Sequence, residues 1–306
     1  MNLINILIST EYIKEPFSLM PKNFNVTYFS PKDLVAGGKN IIDSENIHCL
    51  CIRSQTKINN GFLMQFPNLK LIISATAGMD HVDIDTCKKN NIGLKFLASP
   101  SSKSAAEHTL MLILSLIRNI KSSQNAILNN KWKSSIDKGM DLSSLTVGVI
   151  GFGRVGSLVS KALSVFGAKV LTCDPYKEAA NSKIEDVISM SDLITLHVPE
   201  TEETKGMVDK DFISKMKKGS FLVNTSRGSV VEEYALIEAL KSNHLFGAAL
   251  DVFESEPLTK NSYLRELLAS QRNVILTPHA GSWTESAFTA ASKEASAEIV
   301  LFFKPN

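Results

Sequence analysis

No single sign of charge dominates this 306-residue chain: 33 Lys and Arg stand against 31 Asp and Glu, a formal net charge of +2. That balance argues against nucleic-acid binding by bulk electrostatics, which needs a basic field. Cysteine is scarce, with only Cys49, Cys51, Cys87 and Cys173. None forms a C-x-x-C pair, and two lie in apolar runs. They read as small buried hydrophobes in a reducing compartment, not as disulfides or a metal site. The start, Met1-Asn2-Leu3-Ile4-Asn5, lacks the basic region of a secretory signal. The longest apolar stretch, near residues 110–117, is too short to span a bilayer. There is no low-complexity tract and no short repeat. These absences predict a soluble cytoplasmic protein with no metal, no nucleic-acid partner and no membrane partner.

What is present is alternation. The length suggests two domains, and short apolar runs alternate with helical patterns through most of it. Residues 5–9, 25–29, 48–53, 69–74 and 93–98 read as strands. A helical pattern comes next, over about 104–122, then a polar arm over 129–144. A second alternating unit has strands at 146–150, 169–173, 193–198, 221–225, 247–252 and 274–277. Its helices fall at 154–166, 183–190, 209–216 and 232–242, and the last segment, 284–303, is helical again. This β/α order predicts an α/β protein with two domains, each a parallel sheet flanked by helices. Boundaries near Pro100 and Trp283 give one domain of residues 1–99 plus 284–306 and another of residues 100–283.

The most informative stretch is Val147-Gly148-Val149-Ile150-Gly151-Phe152-Gly153-Arg154-Val155-Gly156. Gly151, Gly153 and Gly156 fit G-x-G-x-x-G between a strand and a helix. Asp174 ends the next strand, 18 residues beyond Gly156. Gly151 permits a tight turn, Gly153 lets backbone approach a pyrophosphate, and Gly156 lets helix and strand pack closely. The helix N-terminus offers unpaired N–H groups to the phosphates. Asp174 would accept hydrogen bonds from a ribose diol and repel a 2′-phosphate, which predicts NAD as cofactor over NADP.

Three later strand ends each carry polar groups: Asn224-Thr225-Ser226-Arg227-Gly228, Asp251-Val252-Phe253-Glu254-Ser255-Glu256-Pro257 and Thr277-Pro278-His279-Ala280-Gly281. Together with the glycine fingerprint these resemble the D-isomer-specific 2-hydroxyacid dehydrogenases over nearly the whole chain. The resemblance implies a flavodoxin-like substrate domain and a Rossmann NAD domain. It implies that Arg227 binds the substrate carboxylate, that His279 is the general acid and base, and that Glu256 orients the imidazole and raises its pKa. Glu254 is a nearby rival for that carboxylate. Cofactor contacts are implied for Gly151, Gly153, Arg154, Val155, Gly156, Asp174, His197, Pro199, Thr204, Thr225 and Asp251. Thr109 would be a further neighbour. His48, His81, His108 and His244 carry no reading beyond a structural or surface one.

In the N-terminal unit, Ser74-Ala75-Thr76-Ala77-Gly78 resembles the family's substrate loop, where small residues let backbone N–H groups close on a carboxylate. Thr76, Ala77 and Gly78, with Arg53 and Ser54, are the implied substrate-side residues. That loop and Arg53 resemble phosphoglycerate and erythronate-phosphate dehydrogenases. The implied reaction is hydride transfer between NAD(H) and a 2-keto/D-2-hydroxy acid, with a phosphorylated acid such as 3-phosphoglycerate, glyoxylate and hydroxypyruvate as candidates. A homodimer through the helix at 104–122 and the arm after it is also implied. The competing class is an NAD-sensing dimeric binding protein of the corepressor type.

Overall fold

In a computed structural model of the chain, residues 3–31, 44–76, 78–270 and 273–304 are described. The chain divides into two compact units, Met1–Ser102 with Trp283–Asn306, and Lys103–Ser282.

In the first unit, β1 (Ile4–Ser9), β2 (Phe24–Phe29), β3 (Cys49–Ile52), β4 (Leu71–Ser74) and β5 (Gly93–Phe96) form one sheet. Its order is β2-β1-β3-β4-β5, and every pair is parallel. β3 is apolar throughout and β4 is apolar up to Ser74, and both are fully buried because both faces of the sheet are covered. Leu7, Leu50, Ile52 and Ile72 enter one core. Ile6, Ile8, Cys49, Cys51, Leu71 and Ile73 enter the other, as the two-residue pleat requires. The C-terminal helix Glu285–Phe302 covers that second face through Ala291, Ala295 and Ile299. All four cysteines are free thiols, and burial pushes the Cys49 thiol up.

In the second unit, β6 (Thr146–Ile150), β7 (Lys169–Cys173), β8 (Leu193–Leu196), β9 (Ser220–Asn224), β10 (Leu245–Leu250) and β11 (Asn273–Leu276) form a parallel sheet. The order is β11-β10-β9-β8-β6-β7. Its direction reverses at β6, which has β7 on one side and β8 on the other. Such a reversal opens a crevice at the carboxyl ends of the strands, and the glycine fingerprint begins there. Both sheets have the α/β architecture expected from the alternation.

The helical segments depart from the sequence-based expectation at several points. The long helix starts earlier and ends earlier, at Ser99–Ile117, and a separate helix, Ile120–Leu128, comes after it. Asn119 breaks the pair with a left-handed backbone at φ 50°, a conformation asparagine tolerates because its side chain bonds locally. Its amide donates to the Asp137 carbonyl, and its carbonyl oxygen accepts from Asn273. The polar arm contains two short 3-10 turns, Lys133–Ser135 and Leu142–Ser144. The helix Tyr263–Ala269 carried no clear sequence signal. Among the described residues, no helix is long and apolar enough to cross a membrane.

Candidate active site

The fingerprint glycines act in three different ways. Gly151 sits at φ 92°, and an added Cβ would lie 2.5 Å from the His197 carbonyl oxygen. Gly156 is packed so closely that a Cβ would run into the Gly151 carbonyl oxygen. Gly153 is the opposite case, with nothing within 4 Å of its Cβ position. It caps the helix Arg154–Val165 without any side-chain hydrogen bond to the first-turn amides. Those amides and the open space above Gly153 form a cradle that fits a pyrophosphate. Arg154 is exposed at the head of this helix, and Val155 packs partly into the core.

Asp174 comes directly after β7 and accepts from Phe152 N at 2.8 Å and Tyr176 N at 2.9 Å. Two amide bonds leave lone pairs on the carboxylate for a ribose hydroxyl. His197 lies beneath the glycine turn, where its Nε2 meets Thr195 Oγ1 at 3.1 Å, and burial pushes the ring down to about 4. Thr204 Oγ1 donates to the Pro199 carbonyl at 2.6 Å, and so ties its own loop. Thr225 Oγ1 is 2.8 Å from Thr109 Oγ1.

The parallel register brings three distant segments together. Leu250 on β10 pairs with Asn224 on β9 and with Leu276 on β11. The loops leaving these strands therefore emerge side by side, and they carry Arg227, Glu256 and His279. His279 Nδ1 lies 2.7 Å from Glu256 Oε2. An ionised carboxylate can only accept, so Nδ1 carries the hydrogen of this pair. The bond to Glu256 raises the His279 pKa, against burial, and the Arg227 guanidinium opposes it as well. Glu256 Oε1 also accepts from Phe253 N at 3.1 Å, which fixes the carboxylate. Glu254 is engaged elsewhere. It accepts from Glu233 N, and its own N–H donates to Glu233 Oε1, each at 2.9 Å.

Arg227 is held by its loop. Its Nη1 donates to the Ser226 carbonyl at 2.7 Å, and its carbonyl accepts from Asn224 Nδ2 at 2.9 Å. Gly228 lies so close to the Phe253 carbonyl that no side chain could fit between the two loops.

Asp251 is buried behind this group. Its Oδ1 accepts from Thr277 Oγ1 at 2.6 Å and Ala280 N at 2.8 Å, and its Oδ2 accepts from Gly281 N at 2.9 Å. Burial pushes this carboxyl up, but hydrogen bonds from His108, Thr277 and Ala280 outweigh it and hold the pKa low. His279 has a left-handed backbone at φ 51°, uncommon for a residue other than glycine. Its N–H donates to the Asp251 carbonyl at 2.8 Å. His108 and Thr277 are the members of this group that sequence reasoning missed. They sit 143 and 26 residues from Asp251, at separations no motif marks.

The substrate-side candidates lie in the first unit, on the loops after β3 and β4. Arg53 is buried with its guanidinium carbon 4.2 Å from the centroid of the Phe288 ring. Phe288 in turn meets Trp283 edge to face at 5.0 Å. Ser54 is exposed. Thr76 Oγ1 donates to the Gly78 carbonyl at 2.8 Å and lies 2.9 Å from Ser74 Oγ. Ala77 lies outside the described residues. Among the described residues, no group of three or more His, Cys, Asp or Glu could hold a metal ion.

Comparison with known proteins identifies the family. The family described as "D-isomer specific 2-hydroxyacid dehydrogenase, NAD binding domain" matches residues 110–281. The chain is 36% identical to the D-3-phosphoglycerate dehydrogenase of Bacillus subtilis over 278 residues, 87% of this chain and 52% of that protein. It is 38% identical to the hydroxypyruvate reductase of Thermotoga maritima over 248 residues, 79% of this chain and 80% of that protein. The chain thus spans about half the length of the phosphoglycerate dehydrogenases it matches. Among solved structures, a D-lactate dehydrogenase from Aquifex aeolicus in complex with NAD and lactic acid superposes with a TM-score of 0.82 at 29% identity, covering 98% of this chain and 96% of that one.

The contrast between two glycines can be measured. Gly153→Ala should leave the melting temperature almost unchanged but weaken NADH binding at least tenfold in a fluorescence titration, because the methyl group enters the phosphate cradle. Gly156→Ala should destabilise the fold by about 1–3 kcal/mol, read as a lower denaturation midpoint, because its methyl group has no room.

Proposed function

This chain belongs to the D-isomer specific 2-hydroxyacid dehydrogenases, and we propose that it interconverts a 2-keto acid and a D-2-hydroxy acid with NAD(H). The observation that carries this reading is the 2.7 Å contact between His279 Nδ1 and Glu256 Oε2, with the Arg227 guanidinium close enough to act on the same imidazole. Gly151, Gly153, Gly156 and Asp174 would hold the dinucleotide. When bound, NADH supplies the hydride that the keto carbon accepts.

The residues of the chain do the rest. Arg227 binds the substrate carboxylate and draws electron density from the keto oxygen. His279, protonated, presents Nε2–H to that oxygen. As negative charge develops there, the proton passes from Nε2 to oxygen, and the ring is left neutral with Nδ1–H still on Glu256. In the reverse direction Nε2 takes the hydroxyl proton, and Glu256 stabilises the imidazolium that forms. Arg53, Ser54, Thr76 and Gly78 are proposed for the substrate side. The guanidinium of Arg53, set against Phe288, is the group suited to an anion. The acid, its carboxylate and the guanidinium together favour an enzyme over a cofactor-sensing binding protein.

We further propose a homodimer. Met111, Ile127, Leu128, Trp132 and Met140 of the second unit leave apolar surface exposed, with Leu128 at 79% and Trp132 at 71%. Large exposed apolar side chains gathered in one stretch of sequence, residues 111–140, suit an association surface.

Purified protein with NADH should reduce at least one of glyoxylate, hydroxypyruvate and phosphohydroxypyruvate, followed at the nicotinamide absorbance. His279→Ala should lower kcat by roughly a thousandfold while still binding NADH. Inactivity of the folded protein toward all three acids would overturn the reading.

The pH dependence has a defined sign. Reduction requires protonated His279, so its rate falls as pH rises through a pKa lifted above the ordinary imidazole value. Glu256→Gln removes the group that lifts it, so the falling limb should move to lower pH. A limb that stays in place would remove Glu256 from the mechanism.

Sedimentation equilibrium should give twice the 33.5 kDa chain mass. The double substitution Leu128→Ser with Trp132→Ser should shift the protein toward the monomer, and a wild-type monomer at micromolar concentration would refute the dimer.

A further inference from the structure

His108 projects from the helix Ser99–Ile117 into the group behind the candidate acid, and its side chain is only 14% exposed. Its Nε2 lies 3.2 Å from Asp251 Oδ1 and 3.1 Å from Thr277 Oγ1. The hydrogens can be assigned by elimination. The Thr277 hydroxyl hydrogen points at Asp251 Oδ1, 2.6 Å away, so Thr277 has only lone pairs left for His108. Both neighbours of Nε2 are therefore acceptors, and Nε2 carries a hydrogen shared between them.

This bond has a mechanical consequence. The chain on both sides of His279 hangs on Asp251: Thr277 before it, Ala280 and Gly281 after it. Between these anchors His279 adopts its left-handed backbone, and the direction of its ring is set by that turn. An aspartate carboxylate rotates about a broad torsion with no sharp rotamer of its own. Its plane is set by its donors, and His108 is the donor that reaches it from a separate helix.

We propose that His108 is a positioning residue for His279, acting through Asp251 and Thr277 to fix the turn that aims the imidazole. The proposal takes from the functional reading only that His279 is the proton donor. Asp251, implied above as a cofactor contact, is retained in both variants below, so the larger effect belongs in the chemical step, because small displacements of a proton donor slow transfer steeply.

Two substitutions separate positioning from simple filling of space. His108→Leu keeps most of the volume and removes the donor, whereas His108→Gln can return an Nε2–H. Each is measured for kcat, for NADH affinity by fluorescence titration, and for the titration of the His279 imidazole by NMR. The groups facing that imidazole are Glu256, Asp251 and Arg227, and all three are unaltered in both variants.

The expected result for His108→Leu is a kcat lowered roughly tenfold, NADH affinity within about twofold of wild type, and a His279 titration shifted downward as its bond to Glu256 loosens. The Gln variant should recover most of both changes. Thr277→Val breaks the same link from the other side and gives the same reading if the Leu variant does not fold. Wild-type kcat and an unmoved His279 titration in the Leu variant would overturn the proposal, as would equal losses in the Leu and Gln variants. A shifted titration restored by Gln, in a protein that turns over no keto acid in any form, would uphold the positioning role and refute the hydride-transfer reading.

Discussion

A carboxylate withdrawn from water must collect hydrogen-bond donors, and Asp251 collects them from the chain on both sides of His279. The left-handed backbone of His279 costs on the order of 1–3 kcal/mol and persists only where its surroundings over-determine it. Asp251 supplies that over-determination. Glu256 then fixes the ring itself, by taking the hydrogen on Nδ1 and leaving Nε2 to face outward. The turn and the ring are thus held by two different carboxylates from one loop. The first acts on backbone and the second on side chain.

The sheet makes this arrangement possible. Asn224, Leu250 and Leu276 lie in register on three adjacent parallel strands, so the loops beyond them emerge at one edge. Parallel strands at about 4.8 Å spacing bring together residues that are dozens of positions apart in sequence. Gly228 completes the fit by letting the Arg227 loop lie directly on the Phe253 carbonyl.

Much of this was legible in the residues alone. The β/α alternation carried the class of both sheets, because a strand covered on both faces must be largely apolar, as β3 is throughout and β4 and β8 are apart from Ser74 and Thr195. The fingerprint was legible because Gly151 and Gly156 answer steric demands within the chain, while Gly153 keeps the space at the helix start open. Asn119 was not, because a left-handed residue inside a helical pattern leaves the apolar periodicity nearly intact. His108 was missed for a different reason. Its partners are reached only after the chain has folded, so nothing local to it announces the bond. Glu256 was favoured over Glu254 by motif spacing alone, and the coordinates set Glu256 against His279 while Glu254 bonds Glu233.

The helix Arg154–Val165 begins at a glycine with no side chain to cap it. Its first amides are therefore incompletely satisfied by the polypeptide itself, and a phosphate bound there would do the work that serine or aspartate does at other helices. The dinucleotide would then be part of what stabilises the folded chain. By mass action, the resistance of this unit to unfolding rises with the logarithm of free dinucleotide once its concentration exceeds the dissociation constant, by about 1.4 kcal/mol per decade.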